Sequence, residues 1–300
     1  MHVVCVDDLS TSDPTGHTRL AGRDGYRFVR HDMTEPLPVE LRARHVDVVF
    51  HLASPASPID YLRLPLATLR AGAVGTATAI DIAEMHGARF VLASTSEVYG
   101  DPLEHPQRED YWGNVNPIGP RSVYDEAKRY AEALTFAHRR ERGLNSGVAR
   151  IFNTYGPRMR GEDGRAVPTF CRQALTGDPI TVSGSGAQTR SLCYVDDTVN
   201  GLIALARSDV AGPVNLGNPH ELTVLRIAEL IRDLADARVP IVFVPGPVDD
   251  PQRRCPDIGR AREQLGWEPA VGHMEGLAAT LDWFRHNVAP SIARSSAGSI

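Results

Sequence analysis

A tyrosine and a lysine four positions apart, Tyr124 and Lys128, are the residues of this 300-residue sequence whose types and spacing most clearly suggest chemistry. Lys128 is the only lysine in the chain. Residues four apart on a helix lie on the same face, one turn from each other. A free phenol has a pKa of about 10, and a nearby cation favours its ionised form. The pair therefore predicts a tyrosine base assisted by a compact ammonium, for which the planar guanidinium of arginine is a poor substitute.

Hydroxyl side chains occur upstream of this pair, where a predicted strand runs into a loop. The segment ASTSEVYG, residues 93–100, contains Thr95 and Ser96. Their hydroxyls can reach a substrate alcohol beside Tyr124 if the strand end meets the start of the helix. This second polar segment favours a catalytic role over the alternative, in which Tyr124 and Lys128 are solvated residues on a helix face.

Short β-branched runs alternate with longer helical patterns, and this alternation predicts a parallel sheet covered on both faces. The predicted strands are residues 2–6, 46–50, 89–95 and 146–152, and the predicted helices are residues 65–87 and 123–143. Both helices are predicted to end at glycine, and Ser122 is predicted to cap the second helix.

After residue 155 the pattern loosens into loops rich in glycine and proline, with a further helix near residues 166–176. The predicted fold class is α/β, a Rossmann-like doubly wound parallel sheet with a smaller C-terminal part that binds the substrate. We predict a first domain over residues 1–155 and a second part over residues 156–300, from which some elements return to the first. The end of the chain, residues 293–300, is predicted to be frayed.

The composition, with 42% hydrophobic and 23% charged residues, is that of an ordinary globular protein. A net charge of −5 gives no basic field, so we expect neither nucleic acid nor a membrane among the partners. The four cysteines are widely spaced and form no CxxC pair, which argues against a disulfide framework and against a metal site. We therefore expect reduced thiols and a cytoplasmic location.

The Tyr-x-x-x-Lys pattern, after a strand that bears serine and threonine, resembles the extended, sugar-nucleotide branch of the short-chain dehydrogenase/reductase superfamily. Within that branch the chain is most similar to the UDP-glucuronate decarboxylase (UDP-xylose synthase) family. The resemblance spans nearly the whole chain. The segments that carry it are HLASPASP (51–58), STSEVYGDPLEHPQREDYWGNVNPIGPRSVYDEAKRYAE (94–132), ARIFNTYGPRM (149–159), GSGAQTRSLCYVDD (184–197), PVNLGNP (213–219), DDPQRRCPDI (249–258) and LGWEP (265–269).

Position 96 separates two similar groups within this branch. The sugar-nucleotide 4,6-dehydratases carry Thr-Asp-Glu here, and the aspartate is the acid that expels the C6 hydroxyl. This chain has Thr95-Ser96-Glu97, the form of the decarboxylases. A C6 carboxylate leaves as carbon dioxide and needs no such acid.

The resemblance implies a reaction through a 4-keto sugar, with NAD as cofactor. Tyr124, as a phenolate, takes the proton of the C4 hydroxyl while a hydride passes to NAD⁺. Carbon dioxide leaves from the position β to the new ketone, and Thr95 and Tyr124 stabilise the developing oxyanion. Reprotonation of C5 and reduction of C4 by NADH then give UDP-xylose. Glu97 and Arg254 are implied to position the sugar and its carboxylate.

The resemblance also implies contacts to the UDP-sugar and a second copy of the chain. Asn153 and Arg190 are implied to contact the diphosphate, for which the bidentate fork of arginine is well suited. The predicted helices carry more apolar and alanine positions than one sheet face needs, and the family pairs them in a homodimer. The residues implied to line the sugar–nucleotide cleft are Tyr61, Arg70, Asn116 and Tyr194.

The implied NAD site follows the ends of the first strands. Asp7 is implied to bind the adenosine ribose, whereas Tyr124 and Lys128 meet the nicotinamide ribose. The further cofactor contacts that the resemblance implies are Asp8, Ser10, Thr11, Ser12, Asp32, Met33, Leu52 and Ser54.

Two features depart from the family pattern. The Gly-x-x-Gly-x-x-Gly loop, which should bring helix amides to the pyrophosphate, is absent, and the sequence begins at the family's second strand. The first strand would lie centrally, between residues 2–6 and 46–50. We expect that the start of the chain is assigned too late; the alternatives are a genuine truncation and a partner that supplies the segment. In addition, Gly72 stands where the family usually has asparagine.

The sequence leaves alternatives to the decarboxylase hypothesis open. One is an enzyme that releases the 4-keto pentose, or another NAD-dependent sugar-nucleotide epimerase or dehydratase, since the same residues serve each reaction. The other is a non-catalytic homologue that binds a nucleotide or a partner. The missing glycine loop favours this last reading, whereas Thr95, Tyr124 and Lys128 together argue against it.

Overall fold

A computed structural model describes residues 1–288, which form an α/β fold built largely on parallel strands. The predicted frayed end, residues 293–300, lies outside the described residues. The strands are β1 Val3–Asp7, β2 Tyr26–Arg30, β3 Val48–His51, β4 Arg89–Thr95, β5 Ser146–Ile151, β6 Thr154–Tyr155, β7 Ile180–Ser183, β8 Thr189–Ser191, β9 Cys193–Tyr194, β10 Val214–Leu216, β11 Glu221–Thr223 and β12 Ile241–Val244. The helices are α1 Thr15–Thr18, α2 Val39–Arg42, α3 Pro58–Arg63, α4 Pro65–Arg70, α5 Thr76–His86, α6 Ser122–Arg142, α7 Ala166–Thr176, α8 Val195–Arg207, α9 Val224–Leu234, α10 Gly259–Leu265 and α11 His273–Asn287. None of these helices is both long and apolar enough to cross a membrane.

Four parallel strands form the main sheet in the order β10-β5-β4-β3. Every residue of β4 is buried, as expected for a strand covered on both faces. The register pairs Thr95 with Ile151, so β4 and β5 end at the same edge. Ligands bind beyond the carboxyl ends of the strands in open α/β sheets, and the confirmed strand 89–95 brings Thr95 to that edge.

The first two strands lie in a sheet of their own, in which β1 pairs with β2 in parallel. Among the described residues the predicted sheet is therefore divided between β1 and β3. Apolar side chains flank this division, and Val3, Val4, Val48 and Phe50 are 37% to 42% exposed. Among residues 1–288 no strand lies between β1 and β3, and the further strand expected there stays a prediction.

The helix predicted over residues 65–87 is a continuous run in which a π-helical turn, Ala71–Gly75, joins α4 to α5. This turn packs closely on α6. A Cβ atom on Gly72 would lie 2.6 Å from the Cβ of Ala127 and 2.9 Å from its Cα. Two neighbouring backbones can approach so closely because residue 72 has no side chain, which is a physical reason for the departure from the family's asparagine.

Helix α6 carries the tyrosine–lysine pair and ends, as predicted, before a glycine. Gly143 has a φ of 71°, the left-handed conformation that glycine adopts without strain. The prediction that Ser122 caps the helix is wrong, because Ser122 is already helical and Arg121 precedes it without a side-chain cap bond. The buried face of α6 includes Tyr124, Asp125 and Lys128.

The second part of the chain has a hydrophobic core of its own. Helices α7, α9 and α11 pack around β7, with Phe170, Ile180 and Phe284 almost fully buried. A second cluster joins Val91 and Ala149 of the main sheet to residues of α8, β10 and α10. Elements after residue 155 therefore complete the main sheet and its cover, while the division at residue 155 remains a prediction.

Candidate active site

The end of β4 supplies the first polar groups of the site. The Thr95 hydroxyl accepts a hydrogen bond from the amide of Glu97 at 3.2 Å and so caps the 3-10 turn Ser96–Tyr99. Thr95 and Ser96 are buried, with exposures of 7% and 3%. This turn changes the direction of the chain after β4, so that Thr95, Ser96 and Glu97 lie together at the corner between the strand and the turn.

Tyr124 and Lys128 meet this corner from the first turns of α6. Both side chains are buried, and the Lys128 ammonium lies 5.8 Å from the centre of the Tyr124 ring. Lys128 Nζ donates a hydrogen bond to the Ala93 carbonyl at 2.9 Å, which fixes the lysine beneath the end of β4. The two predicted groups are thus brought together with Thr95, as the hypothesis requires.

Burial dominates the acid–base behaviour of this pair. It raises the pKa of Tyr124 to about 12, with the charge of Glu97 adding to the rise and the hydrogen bond with Thr95 opposing it. This direction is opposite to the lowered phenol pKa that the sequence predicted, because removal from water outweighs the attraction of a cation. Burial also lowers the pKa of Lys128 to about 8.

Glu97 is held between two arginines. Arg254 pairs with both of its oxygens at 3.0 Å, and Arg121 donates to Oε2 at 2.6 Å. Burial opposes ionisation of Glu97, but the two guanidinium groups prevail and hold its pKa at about 2. Arg254 also donates to the Ser96 hydroxyl at 3.0 Å, so position 96 is occupied by a hydrogen-bond acceptor instead of an acid.

Asp125 lies beside Glu97 and lines a cavity, and its pKa is shifted in the opposite direction to that of Glu97. Its carboxyl is buried, and Oδ1 has no hydrogen-bond partner among the described residues. Burial and the charge of Glu97 raise the pKa of Asp125 to about 7, against the opposing pull of Arg121 and Arg254. Glu97 is therefore firmly ionised, whereas Asp125, on the wall of the cavity of about 220 Å³, titrates near neutrality.

A loop at residues 249–251 closes the other side of this cavity. Asp250 accepts a hydrogen bond from Arg190 at 2.8 Å and lies 3.7 Å from Arg121. Asp249 accepts from Asn116 at 3.0 Å. The structure therefore places the predicted Asn116 on the wall of the cavity and the predicted Arg190 against the loop that closes it, and acidic side chains of the loop accept hydrogen bonds from both.

The other residues predicted for the sugar–nucleotide cleft are dispersed. Tyr61 stacks on Tyr124, with ring centres 5.3 Å apart, and therefore joins the site. Asn153 has a buried Oδ1 without a partner among residues 1–288, while Tyr194 packs edge-on against Tyr155. Arg70 is not brought to the cluster, since it pairs with Glu35 at 3.4 Å and both side chains are more than half exposed.

The residues predicted for the cofactor, apart from Tyr124 and Lys128 on α6, follow the ends of β1, β2 and β3. Asp7 accepts hydrogen bonds from the Leu9 amide and the Ser12 hydroxyl, both at 2.7 Å. Asp8 and Asp32 accept bonds from the backbone two residues on. Ser54 donates to its neighbour's carbonyl, Leu52 is 56% exposed, and Met33 packs against the core. Ser10 is exposed and Thr11 is half-buried in the loop after β1.

Sequence reasoning missed three residues of the site. Arg121 and Asp125 flank Tyr124, and their proximity to Glu97 depends on how the loop and the helix meet. His51 ends β3, donates to or accepts from Thr76 at 3.0 Å, and is kept neutral by burial and the charge of Lys128, which lower its pKa to about 3. For Arg121 and Asp125, the signal in the sequence is that they are charged residues next to the Tyr-x-x-x-Lys pattern.

Comparison with known proteins assigns the class. Residues 1–217 match the model of the NAD dependent epimerase/dehydratase family, and the chain therefore belongs to that family. It is 50% identical to UDP-glucuronic acid decarboxylase 1 of Danio rerio, over 94% of this chain and 66% of that protein. It is 49% identical to UDP-glucuronic acid decarboxylase 6 of Arabidopsis thaliana, over 94% of this chain and 81% of that protein.

A solved structure shares the fold. A mutant UDP-glucuronic acid 4-epimerase from Bacillus cereus, in complex with UDP-4-deoxy-4-fluoro-glucuronic acid and NAD, superposes with a TM-score of 0.85. It is 25% identical, and the match covers 95% of this chain and 91% of that one. The chain thus spans nearly all of this neighbour but slightly less than two thirds of the Danio rerio relative.

Proposed function

We propose that this chain decarboxylates UDP-glucuronate to UDP-xylose through a 4-keto intermediate, with NAD recycled in each turnover. The observation that carries the proposal is the buried cluster in which Tyr124 lies beside Thr95 while Arg254 pairs with Glu97. Ser96 accepts a hydrogen bond where the dehydratases carry an acid, which favours loss of carbon dioxide over loss of water. The identity to UDP-glucuronic acid decarboxylases supports the substrate class.

The residues present fit NAD at both of its ribose ends. The Asp7 carboxylate ends β1 in an ordered loop, and Lys128 has two ammonium donors beyond the one that Ala93 accepts. Bound NAD⁺ would supply a hydride acceptor and a positive charge. A positive charge beside Tyr124 would oppose the effect of burial and favour the phenolate.

The chain's own residues then move the proton and hold the sugar. Tyr124 accepts the proton of the C4 hydroxyl and returns it when C4 is reduced. Thr95 and Tyr124 donate to the oxygen at C4 as negative charge develops during loss of carbon dioxide. Arg254 and Arg121 supply positive charge beside Glu97, in the part of the cavity suited to an anionic C6 group.

A labelled substrate tests the proposal. UDP-glucuronate carrying ¹³C at C6 should release ¹³C-labelled carbon dioxide and give unlabelled UDP-xylose by NMR, without stoichiometric NADH. The Tyr124→Phe variant should still bind UDP but release no label. Retention of C6 in the product would contradict the proposal. A 4-keto pentose as the final product would support the alternative enzyme, and UDP binding without turnover would support the non-catalytic reading.

A homodimer is a second part of the proposal. The faces of α3, α4 and the π-helical turn leave apolar side chains uncovered. Leu62, Leu66 and Val74 are 52%, 75% and 43% exposed, and Tyr130 of α6 is 51% exposed. A patch of this kind marks an interface, and a two-fold dimer is the commonest solution. Light scattering at micromolar concentration should give twice the chain mass, whereas a monomeric mass would contradict the proposal.

The cytoplasm is the proposed location. The four cysteines are free thiols, three of them buried, which suits a reducing compartment. Fractionation of source cells with an antibody should recover the protein with cytoplasmic markers. Recovery with secreted or membrane fractions would contradict this assignment.

A further inference from the structure

Three metal-ligating side chains meet away from the catalytic cavity. The ligand atoms of His105, Glu221 and Cys255 all lie within 4.8 Å of one another. His105 Nε2 is 2.9 Å from Glu221 Oε2. In a tetrahedral zinc site, bond lengths of 2.0–2.3 Å place the ligand atoms roughly 3.5 Å apart. Small side-chain movements would therefore bring all three atoms onto one cation.

The backbone holds these three residues in fixed positions. The Gln107 amide donates to the Cys255 carbonyl and the Cys255 amide donates to Gln107 Oε1, both at 2.8 Å. Gln107 is fully buried, so the segment that carries His105 is tied to the segment that carries Cys255. Glu221 lies on β11, and its Oε1 accepts a hydrogen bond from Thr189 at 2.6 Å, which turns Oε2 towards His105. Hydrogen bonds from neighbouring groups to the ligand side chains orient the ligands of metal sites in this way.

A fourth polar atom lies unused beside the cluster. Ser191 faces Glu221 across the β8–β11 pair, is fully buried, and its Oγ has no hydrogen-bond partner among residues 1–288. Burial raises the pKa of the Cys255 thiol and the Ser191 side chain opposes that rise, so the two side chains are neighbours. The side chain of His105 is 29% exposed and leaves a route from solvent. An unpartnered buried hydroxyl beside three ligands is expected where a cation or its water can bind.

We propose that His105, Glu221 and Cys255 form a site for a divalent transition metal of the zinc type, with Ser191 or water in the fourth position. Thiolate, imidazole and carboxylate together favour zinc over magnesium or calcium. Burial raises the pKa of the Cys255 thiol, so metal binding there releases a proton. The metal joins three separate segments and stiffens the one that carries Arg254. Cysteine spacing argued against a metal because the ligands come from positions far apart in sequence.

Cobalt is the probe, because its thiolate complexes absorb in the near ultraviolet. Untagged 300-residue protein, freed of metal with a chelator, should bind one Co²⁺ per chain with a thiolate charge-transfer band. Cys255→Ser should abolish the band, whereas Cys5→Ser, a half-buried cysteine on β1, should leave it unchanged. Absence of stoichiometric binding, or a band that survives Cys255→Ser, would overturn the site and leave only an ion pair beside a thiol.

Zinc affinity provides a second measurement that does not depend on the thiol. Glu221→Gln preserves the shape of the side chain and should weaken Zn²⁺ at least about tenfold in competition with a chromogenic chelator, since loss of even an outer contact has that effect. The matched variant Glu263→Gln, on the exposed face of α10, should bind as the wild type does. Circular dichroism of each variant establishes that it is folded. Equal affinities for Glu221→Gln and wild type would contradict the proposal.

Discussion

Lys128 occupies a position on α6 where a narrow cation fits and a wide one does not. Its side chain is 5% exposed, and its ammonium is fixed by the Ala93 carbonyl at 2.9 Å. Lys128→Arg conserves the charge but places a planar fork in this space. We expect kcat to fall more than tenfold, which corresponds to about 1.4 kcal/mol.

Steady-state kinetics with saturating substrate and NAD⁺ measures this effect. Arg140→Lys, which exchanges the same two residue types at an exposed position of α6, serves as the control and should leave kcat unchanged. If Lys128→Arg keeps more than about a tenth of wild-type kcat, the requirement for a compact cation is mistaken.

Asp125 makes the stability of the protein depend on pH. Its pKa is raised to about 7 from an ordinary value of 3.8, so between these limits the folded chain binds more protons than the unfolded chain. Stability from this group is therefore lost as the pH rises through that window. Asp125→Asn removes this pH dependence. Its free energy of unfolding relative to wild type should therefore rise by on the order of 2 kcal/mol from pH 5 to pH 8.

Urea unfolding at the two pH values measures this difference. Asp81→Asn, at an exposed position of α5, is the matched control and should change stability equally at both. A difference between Asp125→Asn and wild type that is the same at pH 5 and pH 8 would show that Asp125 does not titrate in this range.

Single residues could be predicted where a short motif carries the chemistry. The spacing of Tyr124 and Lys128 predicted a catalytic pair, and the position of Thr95 at the end of a predicted strand predicted a hydroxyl beside it. Arg121 could not be found in this way, because its partners Glu97 and Asp250 lie on other segments of the chain. Arg70 was predicted in the cleft, yet it pairs with the exposed Glu35.

The contact between the π-helical turn and α6 sets the position of α6, the helix that carries Tyr124 and Lys128. A Cβ on Gly72 would lie 2.6 Å from the Ala127 Cβ and 2.8 Å from its carbonyl oxygen. Gly72→Ala should therefore displace α6 and cost about 1–3 kcal/mol of stability, the usual range for overpacking. Urea unfolding should show this loss, and kcat should fall with it.

A double variant tests whether the loss arises at this contact. Gly72→Ala with Ala127→Gly removes the closest contact but retains the one with the carbonyl oxygen, so partial recovery is expected. Gly272→Ala, where an added Cβ meets nothing within 4 Å, is the control and should be close to neutral. Strict additivity of the two substitutions would contradict the role of the contact.

Among the strands, the sequence predicted β1, β3, β4 and β5 and missed others, including β2 and the short buried strand β10. Strand β4 agrees with the prediction because a continuous apolar run between turn signals is typical of a fully buried strand. Strand β2, Tyr26–Arg30, was missed because charged residues interrupt its short apolar pattern. The resemblance predicted a further strand between β1 and β3, and that strand stays a prediction.

The arrangement of the whole molecule affects how the chain binds NAD. Asp7 and Lys128 remain available for the two riboses, but residues 1–300 contain no glycine-rich loop for the pyrophosphate between them. The 300-residue polypeptide should therefore bind NAD⁺ only weakly by calorimetric titration, and assays of its turnover should need NAD⁺ in large excess. Titration with UDP, whose predicted contacts lie elsewhere, is the positive control. Micromolar binding of NAD⁺ would show that the loop is dispensable.

In the proposed reaction, decarboxylation proceeds by an oxidation at C4 that is reversed before the product leaves. UDP-glucuronate labelled with deuterium at C4 and ¹³C at C6 reports on both steps in one NMR experiment. We expect UDP-xylose that keeps deuterium at C4, together with ¹³C-labelled carbon dioxide and no accumulation of NADH. A product that keeps ¹³C at C6, or a xylose whose C4 carries hydrogen from solvent, would contradict it.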